Sequence, residues 1–244
     1  MIPTIDRLAP AASRAAAASA LAAAGRAPAY PLEFRSQFGE DALIWTLTGG
    51  QLEGFFIEAG AFDGYRYAAT YALECLGWTG LLVEAIPERA EECRVRRPRS
   101  RVVHAALGEI AGGETTFTVT EDPYGGLLSY VDPKAVGKKS VTAMKSRAVT
   151  VPTTTLDALL EGHQGEIDAA VLDVEGVEIP LLRGFDLTRF RPKLLVIEDN
   201  SRGADPALAD YMAGHPYVQI AWLKVNRVYV REDLAEAYAA RLPR

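Results

Sequence analysis

Carboxylates punctuate four apolar runs of this chain, and they are the residues best placed to do chemistry. Glu58 lies in GFFIEAG (54–60), Glu84 in GLLVEAI (80–86) and Asp173 in DAAVLDV (168–174), while Glu198 and Asp199 end KLLVIED (193–199), with Asn200 next. If the last two runs lie side by side, Asp173 meets Glu198 and Asp199, and clustered carboxylates are neutralised by a proton or a cation. Oxygen-only ligands suit magnesium, calcium or manganese, which makes Asp173, Glu198 and Asp199 the candidate metal ligands. Glu175 and Glu178 are explained at least as well as first-turn acids of a helix, stabilised by its macrodipole.

The first acid opens a second motif, EAGAFDG at 58–64. Gly60 leaves room for a ligand to approach backbone. Phe62 and Asp63, however, replace the G-x-G-x-x-G spacing that cradles a pyrophosphate at a helix N-terminus. A nucleoside without phosphates fits better and points to S-adenosylmethionine. Glu84 follows Gly64 by 20 residues, and its carboxylate could accept both vicinal ribose hydroxyls, a role shared by NAD and S-adenosylmethionine sites. The small residues from Ala105 to Gly108, Ala106 among them, would then line an adenine pocket. Of three histidines, His104 falls in an apolar run and His215 precedes Pro216. His163, in the loop EGHQG before the run that carries Asp173, is the candidate base.

These residues converge only if the runs form one sheet. Each run is almost continuously apolar, as expected of parallel strands covered on both faces, and RVVHAAL (101–107) supplies another. Helices are expected at about 66–77, 88–96, 155–161 and 177–183. Strands at 217–222 and 226–231 read as an antiparallel hairpin on the sheet edge, and 232–242 as a final helix. ETTFTVT (114–120) alternates like a strand, and the irregular insertion at 121–147 after it is a candidate lid or substrate-selecting segment. Its Lys134, Lys138, Lys139, Lys145 and Arg147 could attract an anion. The run Arg94, Arg96, Arg97, Arg99 and Arg101 reads as a solvated helix end. Residues 1–35 form an alanine-rich helical extension, lying on the domain or on a second subunit of a homo-oligomer; the main domain spans 36–244.

Composition narrows the partners. With 32 acids against 26 bases the net charge is −6, which lacks the positive field that nucleic-acid binding requires. No run approaches the roughly 18 to 20 apolar residues needed to span a bilayer. Two cysteines, Cys75 and Cys93, exclude a disulfide scaffold and suit a cytoplasmic protein.

Five segments also occur together in a known order: SQFGED (36–41), GFFIEAGAFDG (54–64), TYALECLGWTGLLVEAIPE (70–88), TTTLDALL (153–160), and LDVEGVEIPLLRG (172–184) followed by KLLVIEDN. On these the chain resembles the FkbM-type family of S-adenosylmethionine-dependent methyltransferases. The resemblance implies a class I (Rossmann-like), doubly wound α/β methyltransferase fold, with cofactor contacts on Glu58, Gly60, Asp63, Glu84 and Gln37. It implies as acceptor a hydroxyl of a sugar or polyketide-type small molecule. The acids also look like the magnesium site of metal-dependent O-methyltransferases, with Asp173 as the central catalytic residue. The chain departs from that pattern at Gly176, three residues after Asp173, which cannot take a proton. Two other readings are a dinucleotide-dependent oxidoreductase using Gly60 and Glu84, and a noncatalytic module on the same fold.

Overall fold

The computed structural model describes residues 2–131 and 139–243; Lys134 and Lys138 lie outside them. The chain opens with β1 (Thr4–Ile5), α1 (Pro10–Ala23) and α2 (Glu40–Leu47). A βαβ series follows: β2 (Phe55–Ala59), α3 (Tyr71–Leu76), β3 (Thr79–Glu84), α4 (Pro87–Arg96) and β4 (Arg101–His104). Next come β5 (Ala106–Leu107), β6 (Gly113–Thr120), α5 (Lys139–Thr142) and β7 (Ser146–Thr154). The chain then runs through α6 (Leu156–Leu159), β8 (Ala169–Leu172), α7 (Glu178–Arg183), β9 (Leu194–Glu198) and α8 (Ala207–Met212). It closes with β10 (Tyr217–Leu223), β11 (Asn226–Arg231), a 3-10 turn (Glu232–Leu234) and α9 (Ala235–Ala239).

The main sheet has the order β1-β10-β11-β9-β8-β2-β3-β4. Its strands β9, β8, β2, β3 and β4 are mutually parallel, and β11 runs antiparallel to both of its neighbours. The apolar runs form these strands because side chains alternate between two buried faces. Phe56, Leu82, Val171 and Val196 pack on one face, against α1 and α2. Ile57, Leu81, Ala170 and Ile197 pack on the other, against α6, α7 and α8. Among the described residues no helix is long and apolar enough to cross a membrane.

Three features differ from the sequence reading. The hairpin β10–β11 is not the sheet edge, because Thr4 and Ile5 pair in parallel with Trp222 and Leu223. Helix α1, by contrast, lies on the domain, one of the two placements expected, with Ala17 and Leu21 buried in the core that holds Phe56; methyl-sized side chains let it approach closely. RVVHAAL breaks at Ala105, so that β4 stays in the main sheet and β5 joins a second, three-stranded sheet of order β5-β7-β6. Strand β7, part of whose sequence was expected in the insertion, pairs with β6 from Gly113↔Thr153 to Thr120↔Ser146. The insertion is thus the connection of a long hairpin anchored beside the carboxyl ends of β3 and β4.

Candidate functional site

Two adjoining cavities open at the carboxyl ends of β2, β3, β8 and β9, where the parallel strands stop and their following loops separate. The first is mostly apolar, with Ile86, Ala106, Phe117 and Val177 around Glu84. The second is polar, with Gln37, Glu40, Arg66, Glu198 and Asn226 among its walls. Gly60, Phe62, Leu127, Asp173 and Glu175 line both. Gly60 has φ +82°, and a Cβ there would lie 1.8 Å from the Asp173 carbonyl oxygen. The glycine is therefore demanded by two backbones crossing, and the same crossing puts Asp173 at the junction of the cavities. Phe62, Tyr67 and Glu175 also hold positive φ, at 49°, 57° and 53°, a concentration of strained backbone typical of binding sites.

The Glu84 carboxylate accepts hydrogen bonds from the Phe62 and Ile86 backbone N–H groups, each at 2.7 Å. It thereby ties the glycine turn to the loop after β3, and Glu84 lines the first cavity. Burial pushes its pKa up to about 7, against the pull of those N–H groups. Over this cavity lies the loop after β6, folded around Asp122, which accepts from the Thr120 hydroxyl and from the Tyr124, Gly126 and Leu128 N–H groups. Arg89 fastens that loop through two bonds to the Gly125 carbonyl, 2.7 and 3.1 Å, and stacks over Phe62.

Glu58 and Asp63 sit by the same turn, but their carboxylates are engaged within the fold. Glu58 accepts from the Ala69 N–H at 2.7 Å and from the Thr70 hydroxyl, with Arg97 at 3.6 Å. Burial raises its pKa and Arg97 opposes the rise. Asp63, 1% exposed, accepts from the Tyr65 and Arg66 N–H groups and pairs with Arg96 at 2.6 Å. It lines neither cavity, and its carboxylate shapes the turn. The arginine run also needs correction. Arg97 is fully buried, paired with Glu74 at 2.8 Å and bonded to Gly64 and Thr70. Together Arg96 and Arg97 clamp the loop from below.

Asp173, Glu175 and Glu198 bring carboxylate oxygens within 4.8 Å of one another. Burial, followed by the charges of Asp173, Glu175 and Glu178, raises the pKa of Glu198, and its buried Oε2 has no hydrogen-bond partner. Asp199 is not part of this cluster. Successive side chains of a strand point to opposite sides, and Asp199 turns to Arg227 at 2.7 Å, with Ser201 and Gly203 also donating to it. Glu175, expected as a first-turn acid, precedes α7 and takes the place foreseen for Asp199. Glu178 keeps the helix-start role: it accepts from the Val174 and Gly176 N–H groups.

His163 lies at the other end of the sheet, its ring 4.4 Å from that of Phe55 at the start of β2. That distance from the strand tips removes it from the candidate bases. Gln37 lines the second cavity and Ala106 the first. Sequence reasoning missed Glu40 and Arg66, and it left Glu175 explained at least as well by a helix start. Glu40 was visible within SQFGED, but its burial and its bond from Asn226, 2.8 Å, arise from a contact 186 residues distant. Arg147 and Lys145, expected to attract substrate, pair with Glu88 and Glu121, each at 2.9 Å.

A doubly wound sheet with an antiparallel strand β11, and a glycine turn crossing an acidic strand end, define an α/β protein of the Rossmann-like kind. Residues 58–217 match the family described as the methyltransferase FkbM domain. The chain belongs to that family, and its fold is the class I methyltransferase fold. Among solved structures it is similar to the O-methyltransferase from Bacillus cereus in complex with SAH (15% identity, 91% of this chain and 90% of that one, TM-score 0.43). It is also similar to the C-terminal domain of precorrin-6Y C5,15-methyltransferase from Rhodobacter capsulatus (11%, 80% and 88%, 0.41). A third is a putative RNA methyltransferase from Pyrococcus horikoshii (10%, 82% and 86%, 0.42). No curated protein matches the sequence.

Proposed function

We propose that this methyltransferase uses S-adenosylmethionine to methylate a hydroxyl of a small molecule, a sugar or polyketide-like alcohol, with magnesium assisting. The observation that carries the reading is the meeting of the two cavities at Gly60 and Asp173, with Glu84 on one side and the carboxylate cluster on the other. In this reading Ile86, Ala106 and Phe117 pack against the adenine, and Glu84 accepts the ribose hydroxyls. Gln37 faces the amino-acid half. Charge favours this donor over a dinucleotide. The described walls carry the carboxyl groups of Glu40, Glu58, Glu84, Asp173, Glu175 and Glu198 against Arg66; burial weakens four of them as acids, and those that stay ionised repel a pyrophosphate and attract a sulfonium.

When bound, the donor supplies a methyl group made electrophilic by its positive sulfur. The protein's part is alignment and proton removal. Asp173 lines both cavities, so the acceptor proton is taken at its carboxylate, the role left open by Gly176 and by the remote His163. Three carboxylates, one with a buried oxygen lacking a hydrogen-bond partner, are the oxygen-only donor set that magnesium prefers. Asp173, Glu175 and Glu198 would hold the ion, which would lower the pKa of the acceptor hydroxyl. The polar cavity is lined by acids and the net charge is −6, which supports a small acceptor over nucleic acid. Both cysteines are buried and free, in keeping with a cytoplasmic enzyme.

Calorimetry with S-adenosylhomocysteine and with NAD tests the donor; binding of NAD alone would reject this reading. Asp173→Ala is expected to keep S-adenosylhomocysteine affinity within about threefold. Transfer of labelled methyl to a panel of glycosides and alcohols should fall at least ~100-fold. Unchanged transfer in chelator would remove magnesium from the account.

A further inference from the structure

Among the described residues that line the two cavities, Arg66 is the one cation. S-adenosylmethionine carries an α-carboxylate on its amino-acid half, and the polar cavity that would receive this half is walled by Glu40, Glu58, Asp173, Glu175 and Glu198. Ionised, these acids repel an entering anion, and protonated they offer it only a neutral donor, so a guanidinium is the group that answers its charge. We infer that Arg66 binds the donor's α-carboxylate and so fixes which way the donor lies across the strand ends. This inference rests on the donor assignment made above.

The geometry leaves Arg66 available for that task. Its side chain is 56% exposed, and its Nε stands 3.7 Å from Asp63 Oδ2, a looser contact than the 2.6 Å between that oxygen and Arg96. One buried carboxylate is thus shared by two guanidiniums, and Arg96 also reaches Glu92 at 3.5 Å. The Nη edge of Arg66 is left to form the two-pronged pairing with a carboxylate that guanidinium geometry favours. Asp63 prepares it. By accepting the Tyr65 and Arg66 N–H groups at 2.9 and 2.7 Å, it bends the chain so that residue 66 faces the cavity from beyond the glycine turn. Asp63 is therefore a positioning residue for Arg66.

The test compares two ligands that differ by the amino-acid half. S-adenosylhomocysteine carries the carboxylate; 5′-methylthioadenosine keeps the adenosine and sulfur without it. By calorimetry Arg66→Ala should weaken S-adenosylhomocysteine roughly ten- to hundredfold, the range of a charge-assisted hydrogen bond, and leave 5′-methylthioadenosine unchanged. Arg66→Lys should recover part of the loss, since charge is restored without the fork. Asp63→Asn should show the same selective loss at smaller size. Equal loss for both ligands, or loss for neither, overturns the assignment of Arg66, as does a wild type that binds only 5′-methylthioadenosine. A wild type that binds neither ligand overturns the donor assignment itself.

Discussion

Beneath the glycine turn and at the neighbouring strand tips, the protein buries negative charge in opposite ways. Glu74 and Glu58 lie under the turn with a fully buried Arg97, at 2.8 and 3.6 Å, and their remaining lone pairs take hydroxyl and N–H donors. Glu198 at the strand tip is instead pressed by Asp173, Glu175 and Glu178, and one of its oxygens lacks a hydrogen-bond partner. Its neighbour Asp199 resembles the first group, closed off by Arg227 at 2.7 Å. Carboxylates whose charge is answered inside the fold hold loops together. A carboxylate crowded by others raises the energy of the ligand-free protein, and a proton, a metal ion or a cationic donor can relieve it. Substitutions on the two sides should therefore change stability with opposite signs.

The largest effect is expected at Arg97. Arg97→Ala strands two buried carboxylates, and urea denaturation should show a loss of about 3–5 kcal/mol; a loss under 1 kcal/mol would erase the contrast. Asp199→Asn should cost about 2 kcal/mol by leaving Arg227 buried with weaker partners. It should leave magnesium binding intact, whereas Asp173→Asn should weaken that binding.

Glu198→Gln should act the other way. An acid whose folded pKa is raised contributes its stability below the unfolded value, near 4.5, and loses it as pH rises toward the folded one. Glutamine has no such loss. The variant should match wild type at pH 4 and exceed it by about 1–3 kcal/mol at pH 8 without metal; the same difference at both pH values would refute the crowding. The smallest effect is expected at the far end of the sheet. His163→Ala should leave S-adenosylhomocysteine affinity unchanged and shift stability by no more than about 1 kcal/mol, the scale of one ring contact. A large loss of binding there would contradict the placement of the site at the carboxyl ends.

Much of this layout was legible in the chain because period and composition are local. The apolar runs around residues 55–59, 80–84, 169–172 and 194–198 became the central strands, and Glu84 and Asp173 stand at their tips. Pairing partners were not legible. Nothing local distinguishes Arg97, fully buried, from Arg94 in the same run, or marks that Glu198 faces a cavity while Asp199 faces Arg227. The split of RVVHAAL at Ala105 was equally hidden, since a strand changes sheets only when a second sheet is there to receive it. Gly60 was singled out for the approach of a ligand; the approach that the fold itself makes there, by the Asp173 backbone, was not legible.

Sequence alone determined the class of fold, the family and the acids that end the strands, because these follow from hydrophobic period and from residues near one another in the chain. Tertiary structure decided which acids converge, which are neutralised and where the cation stands. Those outcomes depend on contacts such as Asn226 with Glu40, or Arg227 with Asp199, and electrostatic energy depends on distance in space rather than separation along the chain.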